Sequence, residues 1–229
     1  IVVKGAALAG GCCGTTPGHI RAMTERLRKT KAFERRILPQ VHEDTIVSSY
    51  GRAVILGKKP MIIGERINPT GKKKLKEALK EHNLDYILKE AISQQDMGAH
   101  ILDVNVGLPE IDEVAMMKSV LTGLQGITDL PLQIDTSDME AMEQGMRLYN
   151  GKPLINSVNG KKESMDAVFP LVAKYGGMVV CLTLDENGIP ETAEGRIEIA
   201  KRIIAEAERY GIHKKDLLMD TLCLSLIHI

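Results

Sequence analysis

Polar side chains recur along this 229-residue sequence, each group at the end of a short apolar run. The runs are MIIGERIN, HILDVNVG, PLQIDTS, PLINSVNG, MVVCLTLD and LLMDTLC. The carboxylate and amide residues at their ends are Glu65, Asn68, Asp103, Asn105, Asp135, Asn156, Asn159, Asp185 and Asp220. Carboxylates can accept N–H groups in pairs, and amides can donate to a carbonyl. Brought together, these residues could bind a polar small molecule.

A second candidate site is the cysteine pair Cys12 and Cys13 in GGCCGTTPGHI. Adjacent cysteines do not easily bridge to each other, but two thiolates at a strand-to-turn corner form part of a zinc site, which needs about four ligands. The alternative is a pair of buried, inert cysteines. No CxxC motif follows, and neither Cys181 nor Cys223 obviously converges on the pair.

The apolar runs alternate with longer stretches of helical pattern, predicted over residues 73–97, 110–126, 139–149, 163–175 and 193–210. Strands separated by helices of this length indicate right-handed βαβ units and a parallel sheet. Polar groups after all six strands favour a (β/α)8 barrel, in which every strand points its carboxyl end at one mouth. We therefore predict an α/β fold, a TIM-type barrel of about six βα units that is incomplete.

Four segments are predicted. Residues 1–28, a strand and a helix that begins near Pro17, are too short to fold alone and are interpreted as the last strand and helix of a second barrel. Residues 29–59 lose the periodic pattern and are predicted to be an interdomain linker, and residues 60–223 form the truncated barrel. The tail LSLIHI, residues 224–229, matches the translation of a transposase-end sequencing adapter and is predicted to be non-native; the alternative is a genuine apolar strand.

Composition excludes several classes of protein. The 30 basic and 30 acidic side chains balance, so the sequence lacks the basic footprint of a nucleic-acid binder or a membrane-surface anchor. Four cysteines do not make a disulfide scaffold, which favours a reducing compartment. No apolar stretch is long enough to span a bilayer. We expect a cytoplasmic protein.

The motifs resemble those of one enzyme family. GGCCGTTPGHIRAM is similar to the closing strand and turn of the homocysteine-binding barrel in cobalamin-dependent methionine synthases. IGERINPTG, LDVNVG, IDTS, INSVNG and DLLMDTLC are similar to successive strands of the pterin-binding barrel of that family, in the same order and at similar spacing. The resemblance implies a fragment that holds the end of the homocysteine domain and most of the pterin-binding domain.

The resemblance also implies a methyltransferase. Its reaction would move a methyl group from 5-methyltetrahydrofolate through cobalamin to homocysteine, with this chain supplying the folate-binding part. The residues expected to bind methyltetrahydrofolate are Asp135, Asn156 and Asp220, which would hold the pterin, then Asn68, Asp103 and Asn105, with Glu65 nearby. Purely structural alternatives stay open for two of them. Asn68 before Pro69 could shape a turn, and Asp135 could cap the following helix.

Cofactors follow from the same resemblance. Cys12 and Cys13 would be two of three thiolate ligands to a zinc ion that binds homocysteine, and because the third is expected on an earlier strand, we predict weak zinc binding or none. Cobalamin would be bound by another module of the parent chain. The asparagine that polarises N5 of the folate lies on a later strand of the family, so no catalytic residue is assigned.

Two alternatives to this function remain. One is a stand-alone methyltetrahydrofolate:corrinoid methyltransferase or, more distantly, a dihydropteroate synthase, and the cysteine pair upstream argues against both. The other is a folate-binding fragment without turnover. In each case the partners are small molecules, and neither a nucleic acid nor a membrane is expected.

Overall fold

The computed structural model describes residues 8–29 and 43–223 and divides the chain into two units between His42 and Glu43. In the first unit, α1 (Pro17–Lys29) begins at the proline that the sequence places in the first turn. Of the strand predicted before it, residues 1–7 lie outside the described residues, and the glycine-rich residues 8–14 form coil and a turn. Residues 30–42 of the predicted linker and the tail 224–229 also lie outside the described part.

The second unit begins with an antiparallel hairpin inside the segment predicted to be a linker. Its strands are β1 (Thr45–Ser48) and β2 (Ala53–Leu56). Val47 and Val54 are buried in a cluster with Ile101, Leu154 and Met178, which stand at the starts of strands in the main sheet. The hairpin therefore packs against the amino-terminal end of the sheet. This packing gives a short segment without a strong sequence pattern its structure.

Within residues 43–223, six parallel strands form the main sheet, and their spatial order is their order along the chain. They are β3 (Ile63–Ile67), β4 (Ile101–Val104), β5 (Leu132–Asp135), β6 (Leu154–Asn159), β7 (Met178–Leu182) and β8 (Leu217–Asp220). Sequential parallel strands joined by helices are the arrangement of a (β/α)8 barrel. The predicted α/β fold, a partial barrel, is confirmed.

Helices alternate with these strands as predicted, with one exception. They are α2 (Lys73–Lys80), α3 (Leu84–Asp96), α4 (Glu113–Ile127), α5 (Met139–Leu148), α6 (Lys162–Tyr175) and α7 (Ala193–Arg209). The single helix predicted over residues 73–97 is two helices. His82 has a φ of 53°, which no α-helix accommodates, and Asn83 then caps α3 by accepting a hydrogen bond from the Tyr86 N–H.

The strands separate two environments because successive side chains point to opposite faces. On β4, Leu102 and Val104 face the helices and join the main hydrophobic core. Ile101 points the other way, into the cluster that the hairpin covers. Asp103 lies on that inner face, one step nearer the carboxyl end. The inner face of β4 thus changes from apolar to polar towards its carboxyl end.

The described helices are short relative to a bilayer. The longest, α7, has 17 residues and a charged outer face that includes Arg202 and Arg209. Among residues 8–29 and 43–223, no helix has both the length and the apolar character needed to cross a membrane.

Candidate functional site

A cavity of about 640 Å³ lies on the inner face of the sheet at the carboxyl ends of the strands. Its polar lining residues are Glu65, Asp103, Gln133, Asp135, Asn156, Asp220 and Thr221. Its apolar wall comes from Ile63, Val180, Leu182, Leu218 and Met219. The structure therefore brings five of the seven predicted folate-binding residues to one cavity. An apolar wall with a few converging polar groups is the usual composition of a small-molecule site.

Strand register decides which side chains meet. Asp103 on β4 pairs with Gln133 on β5, and Asp135 pairs with Asn156 on β6. Asp220 on β8 pairs with Leu182 on β7. Paired residues in parallel strands lie side by side on one face of the sheet. Asp103 and Gln133 consequently form a deeper level, with Asp135 and Asn156 one step nearer the mouth.

Asn105 fixes the orientation of Asp135. The Asn105 Nδ2 donates a hydrogen bond to Asp135 Oδ2 over 2.9 Å, while Asn105 Oδ1 accepts one from the Gly107 N–H over 3.0 Å. Burial raises the pKa of Asp135, the Asn105 hydrogen bond lowers it, and repulsion from Glu65 and Glu113 raises it further, with a net rise. Asn105 itself is not part of the cavity wall and acts through Asp135.

Asp135 is not the cap of the following helix, which was the structural alternative for this residue. Asp138 caps α5 instead, because its Oδ1 accepts hydrogen bonds from the N–H groups of Glu140 and Ala141 over 2.8 and 3.0 Å. The Thr136 hydroxyl in turn accepts from the Asp138 N–H over 3.0 Å. The Asp135 carboxylate is therefore available to the cavity.

Asp103 is the most deeply buried carboxyl group of the site, with 1% of its surface exposed. Burial is the largest cause that raises its pKa, to about 7, and the charges of Asp135 and Glu65 act in the same direction. A hydrogen bond from the Gln133 amide and the charge of Lys72 oppose the rise. The Gln133 Nε2 donates that bond to Asp103 Oδ1 over 2.5 Å.

Asn68 is buried but does not line the cavity. Its Oδ1 accepts a hydrogen bond from the Thr70 N–H over 3.0 Å, the turn role that was its alternative interpretation. Its Nδ2 donates to Glu65 Oε1 over 3.2 Å. Lys72 Nζ donates to the Glu65 carbonyl oxygen over 2.6 Å. Asn68 and Lys72 thus hold Glu65, which does line the cavity.

Two other strand-end residues, Asn159 and Asp185, form turn and loop contacts. Asn159 Oδ1 accepts a hydrogen bond from the Lys161 N–H over 2.9 Å. Asp185 Oδ1 accepts from the Asn187 N–H over 2.9 Å, and its Oδ2 pairs with the Arg202 guanidinium over 3.2 Å. Neither residue lines the cavity.

Thr221 and Gln133 are the polar lining residues that the sequence reasoning missed. Gln133 lies inside the apolar run PLQIDTS, where a single amide does not stand at the strand end that marks the other candidates. The usable signal is its position two residues before Asp135, because residues i and i+2 of a strand share a face. A polar residue two positions before a predicted ligand therefore points into the same cavity.

Cys12 and Cys13, the two predicted zinc ligands, are adjacent and exposed, so they are not the buried pair of the alternative interpretation. The Sγ atoms of Cys12 and Cys13 are 3.9 Å apart, and both residues are free thiols. Hydrogen bonds from the Cys13 backbone and side chain lower the pKa of the Cys12 thiol. Within residues 8–29 and 43–223 no group of three His, Cys, Asp or Glu side chains is placed to hold a metal. The described residues do not complete a zinc site.

Comparisons with known proteins identify two families. The sequence profile described as pterin binding enzyme matches residues 64–225, and the profile described as homocysteine S-methyltransferase matches residues 1–27. Methionine synthase of Mycobacterium tuberculosis is 35% identical over 230 residues, and that of Mycobacterium leprae is 34% identical over 231 residues. Each alignment covers 97% of this chain and 19% of the relative, so the chain spans about a fifth of the length of these proteins.

Solved structures share the fold. A Xanthomonas albilineans dihydropteroate synthase in complex with indole-2-carboxylic acid and 6-chloroguanine has a TM-score of 0.58 at 22% identity, over 77% of this chain and 64% of that one. A Yersinia pestis dihydropteroate synthase with a pterine-sulfa conjugate has a TM-score of 0.58 at 21% identity, over 76% and 63%. The pterin-binding profile spans most of the chain and contains every polar residue of the cavity. The chain therefore belongs to the pterin-binding enzymes.

Proposed function

We propose that the cavity binds the pterin ring of 5-methyltetrahydrofolate, and that the parent protein transfers its methyl group through cobalamin to homocysteine. The observation that carries the proposal is the convergence of Asp103, Asp135, Asn156 and Asp220 on one cavity with an apolar wall. The similarity to methionine synthases over 97% of the chain supports this substrate over other pterins. The homocysteine S-methyltransferase match over residues 1–27 supports homocysteine as the methyl acceptor.

The lining groups fit the hydrogen-bonding edge of a pterin. That edge carries adjacent N–H groups and a carbonyl, so carboxylates can accept in pairs while an amide donates. Asp135 is held in place by Asn105, and Asp220 Oδ1 accepts from the Leu222 N–H over 2.7 Å. Asn156 stands beside Asp135 in register and offers the amide. Val180 and Leu182 offer a flat apolar surface for the ring.

Methyl transfer from a tertiary amine requires that N5 gain positive character, because a neutral amine nitrogen is a poor leaving group. Fixed negative groups near the ring favour that character without reorganisation during the reaction. Glu65, Asp103 and Asp135 supply such groups from three neighbouring strands. Reduced cobalamin, the acceptor in this proposal, would supply the nucleophile. The roles of Asn68 and Asn105 are to position Glu65 and Asp135.

The remaining parts of the proposal concern the parent protein. The cysteine pair would serve the homocysteine side, with further zinc ligands outside the described residues. Residues 1–28 would end the homocysteine domain and residues 60–223 would belong to the pterin domain, with the hairpin added to the latter. A cytoplasmic location is part of the proposal, supported by four cysteines that are all free thiols.

The test is a calorimetric titration of the full chain with 5-methyltetrahydrofolate. We expect one binding site, and we expect Asp135→Asn to weaken binding at least about tenfold, since a hydrogen bond to a charged group contributes about 1.5–3 kcal/mol. Asp166→Asn, in an exposed ion pair with Lys162, is the matched control and should bind like the unmodified chain. Equal binding by the two variants, or no binding at all, would contradict the proposed site.

Methyl transfer is measured separately, by the absorbance change of cob(I)alamin on methylation. Turnover that depends on Asp135 supports the full proposal. Binding without transfer supports only a folate-binding role for this chain and argues against its carrying the reaction alone.

A further inference from the structure

Two buried oxygens at the floor of the cavity have no hydrogen-bond partner within the described part of the chain. They are Asp103 Oδ2 and Gln133 Oε1. Both residues line the cavity, and 1% of Asp103 and 6% of Gln133 are exposed. A buried acceptor without a donor destabilises a protein by about 1–3 kcal/mol, so native structures rarely leave two adjacent ones unsatisfied. A group that donates hydrogen bonds is expected to bind here.

The two residues form one unit. They are direct partners in the register of β4 and β5, and the Gln133 amide donates to Asp103 Oδ1 over 2.5 Å. This bond orients the carboxyl group and leaves its second oxygen free. Gln133 Oε1 takes no part in this bond, so each residue keeps one unsatisfied acceptor.

The charges that face Asp103 come from three elements. Asp135 on β5 and Glu65 on β3 disfavour its ionised form, while Lys72 at the start of α2 favours it. The Gln133 amide also favours the ionised form, because it donates to the carboxylate. Burial is the largest cause of the rise, and together with these groups it puts the pKa of Asp103 at about 7, so the protonated and ionised forms coexist near neutral pH.

We propose that Gln133 is a positioning residue of the folate site. It holds the Asp103 carboxyl so that Oδ2 accepts a hydrogen bond from an N–H of the bound pterin. Binding thereby releases the proton of Asp103 to solvent. The inference rests on the proposed function and adds to it the role of Gln133 and the release of a proton on binding. The bound ring donates to the ionised carboxylate, which stabilises that form over the protonated one. Proton release is the required consequence of this preference.

The direct test is calorimetric titration of the full chain with 5-methyltetrahydrofolate at pH 7 in phosphate and in Tris, buffers with different ionisation enthalpies. We expect release of a measurable fraction of a proton per site at pH 7 and almost none at pH 9, where the carboxyl is already ionised. Asp103→Asn should abolish the release at pH 7.

Gln133→Met tests the positioning role. It removes the donor that favours ionised Asp103, so the pH at which proton release is half complete should move upward, and affinity at pH 7 should fall about tenfold. Gln144→Met on α5, outside the cavity, is the matched control and should change neither quantity. A loss of packing alone would lower affinity without moving the pH profile, which separates the positioning role from a structural one. Thermal unfolding of each variant confirms that it folds.

The outcomes separate this inference from the proposed function. Folate binding without proton release at pH 7, or a Gln133→Met profile at the same pH as the unmodified chain, overturns the inference and leaves the folate site standing. Absence of folate binding by the unmodified chain overturns both. If Gln133→Met does not fold, the proton count for the unmodified chain and for Asp103→Asn still decides whether folate binding releases the Asp103 proton, and its absence overturns the inference.

Discussion

The side-chain amide of Asn105 joins the end of β4 to Asp135 at the end of β5 through a hydrogen bond of 2.9 Å. The same amide is anchored by the Gly107 N–H, which donates to its oxygen over 3.0 Å. A Cβ at Gly107 would lie 3.4 Å from that oxygen and 3.3 Å from Glu113 Oε2, so the loop packs closely around the bond. The loop after β4 thus sets the orientation of a carboxylate on the next strand.

Loss of this bond should weaken folate binding. We expect Asn105→Ala to lower the affinity for 5-methyltetrahydrofolate about tenfold, because Asp135 loses a charge-assisted hydrogen bond and its pKa rises further. Fluorescence or calorimetric titration measures the change. Asn150→Ala, at the exposed turn before β6, is the matched control. Equal affinities for the two variants would show that Asn105 does not orient Asp135.

Burial of Asp103 should make stability depend on pH. Because its pKa is raised to about 7 in the folded state, the folded chain binds more protons than the unfolded chain between about pH 4 and pH 7. The free energy of unfolding should therefore fall as pH rises through this window and level off above pH 7. Asp103→Asn lacks this titration. Its free energy of unfolding, relative to that of the unmodified chain, should therefore rise by about 2 kcal/mol between pH 5 and pH 8. Urea denaturation measures both proteins at both pH values. A difference in unfolding free energy that is the same at pH 5 and pH 8 would contradict the prediction.

Tyr149 links the hairpin to the sheet, and its hydroxyl should matter for stability. The hydroxyl accepts from the Leu132 N–H and donates to the Ser48 carbonyl, both over 3.0 Å. Burial raises the pKa of Tyr149 to about 12, so the hydroxyl stays protonated below pH 11. Tyr149→Phe should lower the free energy of unfolding by about 1–3 kcal/mol, since a buried N–H loses its acceptor.

The control for this prediction is Tyr50→Phe. Tyr50 lies in the turn of the same hairpin with 61% of its surface exposed. Its change in unfolding free energy should stay within about 0.5 kcal/mol. Similar losses in the two variants would argue against the hydroxyl link.

One glycine is required by a close backbone contact. Gly151 has a φ of 154°, and a Cβ there would lie 2.2 Å from the Ser48 carbonyl oxygen. Gly151→Ala should therefore lower the free energy of unfolding by more than about 2 kcal/mol, because backbone atoms must shift. Chemical denaturation measures the loss.

The same substitution at Gly126 should have the opposite sign. Gly126 lies in α4 with no atom within 4 Å of the added Cβ, so Gly126→Ala should raise stability by about 0.5 kcal/mol through helix propensity. Destabilisation at Gly126, or tolerance at Gly151, would refute the packing argument.

Several features were open to sequence reasoning because they depend on local rules. Alternating apolar runs and helical stretches predict the six parallel strands within three residues of their observed ends. The strand-end positions of Asp103, Asp135, Asn156 and Asp220 place them at the barrel mouth, since parallel strands share one carboxyl edge. The break between α2 and α3 near His82 was not predicted, because a single residue in the left-handed conformation hardly changes the hydrophobic periodicity.

By itself the sequence determined the parallel α/β fold, the strand ends that carry polar groups and the resemblance to pterin-binding enzymes. Only the tertiary structure decided which of those groups meet. Register pairs Gln133 with Asp103, the Asp138 cap frees Asp135, and the turn at Asn68 keeps its amide from the cavity. The hairpin also needed the tertiary structure, because Val47 and Val54 gain their burial from residues far along the chain. Such contacts join segments that no local sequence window contains.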